Sequence, residues 1–481
     1  MCPSTLDFQG CDGHRTTHER PVARENRGVN PPRIVVVGAG HVGLYTALRL
    51  SKKLNRNHAE VVVIDPVPHM TYQPFLPEAA AGSISPRHAV VPLRRELKKC
   101  RIVSGEVTKV EHARKTVIIQ PIDGPSYEMA YDHIIVAPGS VSRTLPIPGL
   151  SEIGIGLKTI GEAIYLRNHI LDRLDVAAVT PDPEVRKASL NFVFVGGGFA
   201  GIEALAEMQD LVADGLKYYP ELDPKEVHFI LVEATNRILP EVGPEMGAYA
   251  ARQLAARGVD LRLEVFLNSC VDGQIELSDG DSFRAETLVW TAGVKPSPML
   301  QQTDLPLGPR GHVNCLPTLQ VATLEGEVLE GAWAAGDCAQ VPDLTNPGGW
   351  CSPSAQHAVR QAKVLADNIA QVILGGAPKE YRHKHVGGVA GLGINKGVAH
   401  VYGIKVKGYP AWLMHRFYHV SRIPSFNRKV RVLADWVLAF ILKRETVALG
   451  QLHAPREEFL EVTPPVAPKP KAEEKVASGA R

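Results

Sequence analysis

The chain has 481 residues, 44% hydrophobic and 22% charged, and its 53 Lys and Arg against 51 Asp and Glu leave a formal net charge of +2. That length accommodates two or three domains with sizeable cores, and the composition is that of an ordered globular protein. The near-neutral balance excludes the basic field of a nucleic-acid binder, and no run reaches the ~18 uninterrupted apolar residues of a membrane-spanning helix.

Residues 1–32 mix Arg15, Arg20, Arg24 and Arg27 with Asp7, Asp12, Glu19 and Glu25 around no apolar core, which predicts a flexible leader rather than a secretory signal. From Arg33 the pattern sharpens. Arg33-Ile34-Val35-Val36-Val37 reads as a strand, Gly38-Ala39-Gly40-His41-Val42-Gly43 as a turn, and Leu44, Ala47, Leu48 and Leu54 as the apolar face of a helix. In such a unit the first glycine allows a tight turn, the second lets backbone approach a pyrophosphate, and the third lets helix pack on strand. The helix N-terminus then offers free N–H groups to phosphates. The next apolar run, Val61 to Ile64, ends in Asp65, 22 residues past Gly43, where a carboxylate can accept hydrogen bonds from ribose hydroxyls. This first unit extends over residues 33–150, ending after Ile134-Ile135-Val136-Ala137-Pro138-Gly139, a further strand running into a turn.

A second unit occupies residues 151–300. The strand Leu190 to Val195 meets Gly196-Gly197-Gly198-Phe199-Ala200-Gly201, and Ile202, Leu205, Ala206 and Leu211 continue at helical spacing. Its carboxylate is Glu233, 32 residues after Gly201, because the polar stretch around Tyr218-Tyr219-Pro220-Glu221 lengthens the connection. An acid there disfavours a 2′-phosphate and so favours NADH over NADPH. The unit closes at Leu288-Val289-Trp290-Thr291-Ala292-Gly293. A lone glycine cluster can be a ligand-free turn; two complete units followed by Ala335-Gly336-Asp337 predict two nucleotides held face to face. Residues 301–385, carrying that last motif, return to the first unit. The alternation predicts an α/β chain with two Rossmann-like, doubly wound domains, the first split by the second.

Residues 386–460 have another character. Trp412, Leu413, Met414, Phe417, Tyr418 and Val420 alternate with His415, Arg416, His419 and Arg422, and Trp436 to Leu442 form a second apolar run. From Arg416 to Arg444 seven Lys or Arg face Asp435 alone, which tips the reading of this helical region towards a membrane surface over a packing cap or dimer interface. Residues 461–481, rich in Pro, Lys and Ala, predict a disordered tail. The seven cysteines show no CxxC or CxxxxC pair, so disulfide-reducing chemistry is excluded. No His/Cys spacing suits zinc, and His383 with His385 reads as a solvated loop.

The order of these elements resembles the two-dinucleotide-binding-domain flavoproteins and, within them, the type II NADH dehydrogenases, which pass electrons from NADH to quinone without pumping ions. The match spans Arg33 to about Leu452. The resemblance implies FAD at Gly38, Gly40, Gly43, Asp65, Gly139, Gly336 and Asp337, and NADH at Gly196, Gly198, Gly201, Glu233 and Gly293. Tyr72 to Gly82 looks like the family segment that runs past the flavin. Glu203 fills the position of a glutamate near the flavin tied to proton or quinone handling; a carboxylate on a helix's first turns also suits the helix dipole whatever its chemistry. The segment Ala355-Gln356-His357-Ala358-Val359-Arg360 resembles the family's Ala-Gln-x-Ala-x-Gln quinone-tunnel pattern, with Arg360 at the second Gln and Gln361 beside it. Ala355, Gln356 and Arg360 are therefore the expected quinone contacts, with Glu203 and Gln356 the expected catalytic pair. The resemblance implies a cytoplasmic enzyme bound peripherally to the inner face of the cell membrane through residues 410–445, and homodimerisation is possible. The rival readings are a soluble NAD(P)H-dependent ferredoxin-reductase-like flavoprotein and a nicotinamide-responsive flavoprotein binding module.

Overall fold

A computed structural model describes residues 31–384 and 386–449. The expected leader up to residue 30, His385, residues 450–460 and the expected tail at 461–481 lie outside the described residues.

The near-continuous apolar run at Arg33 forms β1 (Arg33–Val37), in which Ile34, Val35 and Val36 are fully buried. Burial from both faces explains why the run does not alternate with polar residues, as expected for a central parallel strand. It leads through the glycine turn into α1 (His41–Lys53), then β2 (Glu60–Asp65), the short α2 (Leu76–Ala80), β3 (Arg101–Glu111) and β4 (His133–Val136). β1 pairs in parallel with β2 and β4, and β2 pairs in parallel with β3.

The second sheet is built from β5 (Asn191–Val195), β6 (His228–Glu233) and β7 (Thr287–Trp290), flanked by α3 (Ile160–Val179) and α4 (Phe199–Gly215). With Gly154–Ile155 and Val259–Leu263 at its edges it is a five-stranded, wholly parallel sheet. The chain then returns to the first sheet: β8 (Val328–Ala334) pairs in parallel with β4, and α5 (Ala355–Ile373) packs along α1. There Arg49 grips Asp367 with two hydrogen bonds of 2.6 and 2.7 Å. Two α/β sheets, the first completed after the second, are thus present.

The C-terminal region departs from the wholly helical expectation. It opens as an antiparallel meander, β9 (Gly387–Gly391), β10 (Gly397–Val401) and β11 (Ile404–Lys407), followed by α6 (Tyr409–Arg422) and α7 (Phe426–Leu442). The reason lies in its glycines, which in a strand mark close approach. A Cβ at Gly388 would sit 2.5 Å from the Phe199 ring, and one at Gly397 would sit 2.7 Å from the Trp412 nitrogen.

Candidate functional site

The two glycine turns have the same construction. After β1, Gly38 takes φ +89°, and a Cβ there would lie 2.5 Å from the Ala137 carbonyl oxygen. At Gly43 a Cβ would overlap the carbonyl oxygen of Gly38, so helix and turn touch backbone to backbone. Gly40 is the N-cap of α1; it lends no side-chain cap, the first turn holds no acid, and no protein atom lies within 4 Å of where its Cβ would be. Gly198 stands at the same position before α4, again with open space, and Gly201 would overlap Gly196 as Gly43 would overlap Gly38.

The strand-end acids are equivalent too. Asp65 accepts from the Ala39 N–H (2.7 Å) and the Val67 N–H (2.9 Å). Glu233 accepts from the Gly197 N–H (2.5 Å), the Thr235 N–H (2.8 Å) and the Thr235 hydroxyl (2.8 Å). The longer connection before Glu233 is absorbed by two short 3-10 turns, Leu216–Tyr218 and Pro224–Glu226, without shifting the acid from its place. Burial pushes the Asp65 carboxyl up, and its two N–H donors oppose that shift. Free N–H groups at a helix N-terminus beside an acceptor carboxylate are what a dinucleotide's pyrophosphate and ribose require, so both turns fit one.

A ribbon joins the two halves: Ser140–Ser142 pairs antiparallel with Val294–Pro296, which sets Gly139 and Gly293 (φ +73° and +87°) at the start of each strand. The Gly139 carbonyl accepts from the Ser297 N–H, and the Gly293 carbonyl accepts from the Arg143 N–H. Asp337 lies here, accepting from the Ser140 hydroxyl at 2.8 Å, while the Lys158 ammonium donates to that same hydroxyl at 2.6 Å. Burial lowers the Lys158 pKa, with Asp337 and Glu162 opposing it. Gly336, at φ +78° and tight against Val42, donates its N–H to Gln361 Oε1 at 2.7 Å.

The third face is β9. Glu203, on α4, accepts from the Gly391 N–H at 3.1 Å and pairs with His415 Nε2 at 2.9 Å. Gln356, at the start of α5, donates to the Gly387 carbonyl at 3.1 Å and accepts from the Val386 N–H and from His383. The two candidate catalytic residues therefore bracket one strand rather than touch. Ala355 is exposed, and Arg360 is partly buried with its guanidinium donating to the Gln356 carbonyl at 3.0 Å. His383 is not free in solvent, as the loop reading had it; Gln356 holds it partly buried at the head of the meander.

Around Glu203 lies a cluster of buried charge. Glu78 of α2, Glu207 of α4 and His415 of α6 share with Glu203 a cavity of about 10 Å³, room for one water. Burial raises the Glu78 pKa against the pull of Arg416, 3.7 Å away. Burial works against a charged His415 ring, but Glu203 and Glu78 outweigh it and the pKa rises. The Trp436 indole N–H of α7 donates to Glu78 at 2.6 Å, so the last helix reaches this cluster directly.

Residues to which sequence reasoning gave no role are Lys158, Ser140, Gln361 and His415. Lys158 had a signal: Thr159 and Glu162 form a capping box that starts α3 just after it. Ser140 and His415 had none, since their partners lie 197 and 212 residues away. The five cysteines among the described residues are free, and Cys338, beside Asp337, is a buried thiol pushed up to about 12 by burial.

Comparison with known proteins places this geometry. Residues 32–362 match the family described as pyridine nucleotide-disulphide oxidoreductase. A type II NADH:quinone oxidoreductase of Staphylococcus epidermidis is 30% identical over 387 residues, covering 79% of this chain and 92% of its own. The Mycobacterium tuberculosis type II NADH:quinone oxidoreductase is 29% identical over 440 residues, covering 88% of this chain and 90% of its own. The solved structure of NDH2 from Plasmodium falciparum in complex with NADH superposes with a TM-score of 0.79 at 17% identity, covering 87% of this chain and all of that one.

Proposed function

Since this chain belongs to the pyridine nucleotide-disulphide oxidoreductase family and, within it, to the type II NADH:quinone oxidoreductases, we propose a division of labour among its residues for that activity. The protein is an FAD-dependent oxidoreductase that takes a hydride from NADH and passes two electrons to a quinone without pumping ions. The observation that carries the assignment of sites is the matched pair of acids and turn N–H groups, Asp65 with Ala39 and Glu233 with Gly197.

Gly38, Gly40, Gly43, Asp65, Gly139, Gly336 and Asp337 hold FAD, residues 33–150 and 301–385 forming its split domain. Gly196, Gly198, Gly201, Glu233 and Gly293 hold NADH, in the domain of residues 151–300. Bound FAD supplies the two-electron relay between the two substrates. The chain's own residues do the rest. The Ser140–Ser142 and Val294–Pro296 ribbon ties the two domains together, and this would help to orient NADH and FAD, when bound, for transfer between them. Lys158, through Ser140, positions Asp337, which would hold the ribityl chain of FAD. Gln356 fixes the meander on the flavin domain with Ala355 and Arg360 at the quinone entrance, and the Glu203–His415 pair would relay a proton to the reduced quinone.

The lipid side is α6 and α7. Phe417 is 59% exposed, Val437 57% and Phe440 90%, on helices that also carry Arg422, Arg428, Lys429 and Arg431. No helix among the described residues is long and apolar enough to cross a membrane. An amphipathic pair of this kind suits the headgroup layer, and this supports peripheral membrane attachment through residues 410–445; the side proposed is the inner face of the cell membrane. The reading is tested by the spectrum of the purified protein: flavin bands near ~450 nm that bleach on NADH and return on adding a quinone establish it. Bleaching without quinone-driven recovery overturns the quinone assignment.

A further inference from the structure

We propose that the N-terminal end of α7, together with Arg95 and Lys98, is a binding site for the phosphate of an anionic phospholipid headgroup; the proposal rests on the membrane attachment argued above and names its lipid. Ser425, Asn427, Arg95 and Lys98 line an open cavity of about 590 Å³, with Glu96 the single acid in its wall. Ser425 is the N-cap of the 17-residue α7 and only 2% exposed, yet its hydroxyl caps no helix N–H and has no hydrogen-bond partner among the described residues. The first turn of α7 holds no acid, so its N–H groups meet no anion of the chain. Arg428, in that turn, has a buried Nε without a partner; burial and the charges of Arg431 and Arg95 work against its charge, and Glu96 alone offsets them. Like charges gathered at a helix N-terminus are destabilising unless an anion joins them.

That the anion is part of a lipid follows from what continues from the cavity. Phe426 and Val430, also in its wall, are 79% and 50% exposed, and Leu433 and Val437 extend the same stripe at helical spacing. The opposite side of α7 is held inward: Val432 is fully buried, Asp435 accepts from the Ser85 N–H at 3.0 Å, and Trp436 donates to Glu78. A phosphate at Arg95 and Arg428 therefore leaves acyl chains to run along an apolar stripe that the protein itself does not cover.

The test uses the full-length, FAD-loaded protein co-sedimented with vesicles of phosphatidylcholine alone or with phosphatidylglycerol added. Phosphatidylglycerol is expected to raise partitioning by about tenfold or more, from ~1 kcal/mol per basic residue at an anionic surface. Arg95→Glu/Arg428→Glu is expected to abolish that gain while leaving binding to phosphatidylcholine and turnover with a water-soluble quinone unchanged. Lys187→Glu/Lys363→Glu, an equal charge change at exposed positions elsewhere, is expected to keep it. Equal binding to both vesicles, or an equal loss in both double variants, overturns the headgroup site but leaves membrane attachment standing. Binding to neither vesicle overturns the attachment reading itself. Loss of the phosphatidylglycerol gain to millimolar inorganic phosphate at constant ionic strength shows a free-anion site and also overturns the proposal.

Discussion

Glu203 and Gln356 hold the two ends of one five-residue strand: Glu203 accepts from the Gly391 N–H and Gln356 donates to the Gly387 carbonyl, each at 3.1 Å. Glu203 stands on the helix that follows the second glycine turn, and Gln356 on the helix that follows Gly336-Asp337. The C-terminal meander is thus pinned to both nucleotide units at once. Under the proposed function, any movement of α6 and α7 would reach, through this strand, the residues assigned to nicotinamide, flavin and quinone.

Because both residues also have this structural duty, the informative change at Glu203 is the one that keeps it. Glu203→Gln retains an oxygen for the Gly391 N–H but cannot deliver a proton or balance His415. Quinone-dependent turnover is expected to fall by about 10²-fold, the usual weight of a general acid, while single-turnover bleaching of the flavin by NADH stays within ~2-fold. Stopped-flow measurement of the two half-reactions checks it. An equal fall in both would make Glu203 a structural residue only.

The glycines of the first turn separate folding from cofactor binding. At Gly43 a Cβ meets the backbone of Gly38 and lies 3.2 Å from Val36 Cγ1, and neither can yield. Gly43→Ala is therefore expected to destabilise even the FAD-free protein by more than about 3 kcal/mol. At Gly40 no protein atom stands within 4 Å, so Gly40→Ala is expected to leave the FAD-free protein as stable, or more so by about 0.5 kcal/mol. On the proposed FAD assignment its methyl would instead occupy the approach of the pyrophosphate, and FAD dissociation is expected to rise tenfold or more, on the order of 1.4 kcal/mol. Thermal melts of FAD-free protein and the fluorescence of released flavin read the two effects.

Much of this was legible in the chain because it is local. Strand, glycine turn, helix and acid recur within a few dozen residues, so Asp65 and Glu233 could be named from spacing as strand-end acids, and the extra turns before Glu233 leave it at the end of its strand. The parallel runs were legible because strands buried on both faces stay apolar, as in Val61 to Ile64. What escaped was non-local or unpatterned. The meander at Gly387–Lys407 has three glycines, Gly387, Gly388 and Gly397, where side chains would clash with His400, Phe199 and Trp412, and no alternation survives that demand. The Lys158–Ser140–Asp337 chain and the Glu203–His415 pair join segments that only the fold brings together. Trp436 read as one side of a lipid-facing run, whereas its indole turns inward to Glu78.

Nucleotide choice is the next expectation. Glu233 accepts hydrogen bonds from the Gly197 and Thr235 groups, and on the proposed NADH assignment it is the residue that a 2′-phosphate would meet. Glu233→Arg is expected to raise the NADPH/NADH ratio of kcat/KM by about 10²-fold or more, through removed repulsion and a new charge-assisted bond. Glu233→Gln keeps one acceptor and is expected to shift the ratio in the same direction but less. Steady-state kinetics with both nucleotides decides, and an unchanged ratio in the Arg variant means the ribose is read by other groups.

The buried pair also makes a prediction about pH. His415 is faced by Glu203 from α4, by Glu78 from α2, and by Arg416 and His419 of its own helix, and the two carboxylates raise its pKa. A base whose folded pKa lies above its unfolded value of ~6.5 binds its proton more tightly when folded. Its contribution to stability is therefore complete below about pH 6.5 and is lost as pH rises through the folded value. Glu78, raised by burial, adds a slope of the same sign that begins at lower pH, so the His415 part must be isolated by difference. His415→Gln is expected to cost about 3 kcal/mol below pH 6.5, the order for breaking a buried pair, and progressively less as pH climbs. Thermal melts of both proteins between pH 6 and 9.5 provide the check. A cost that stays constant across that range would mean that His415 is neutral in the fold.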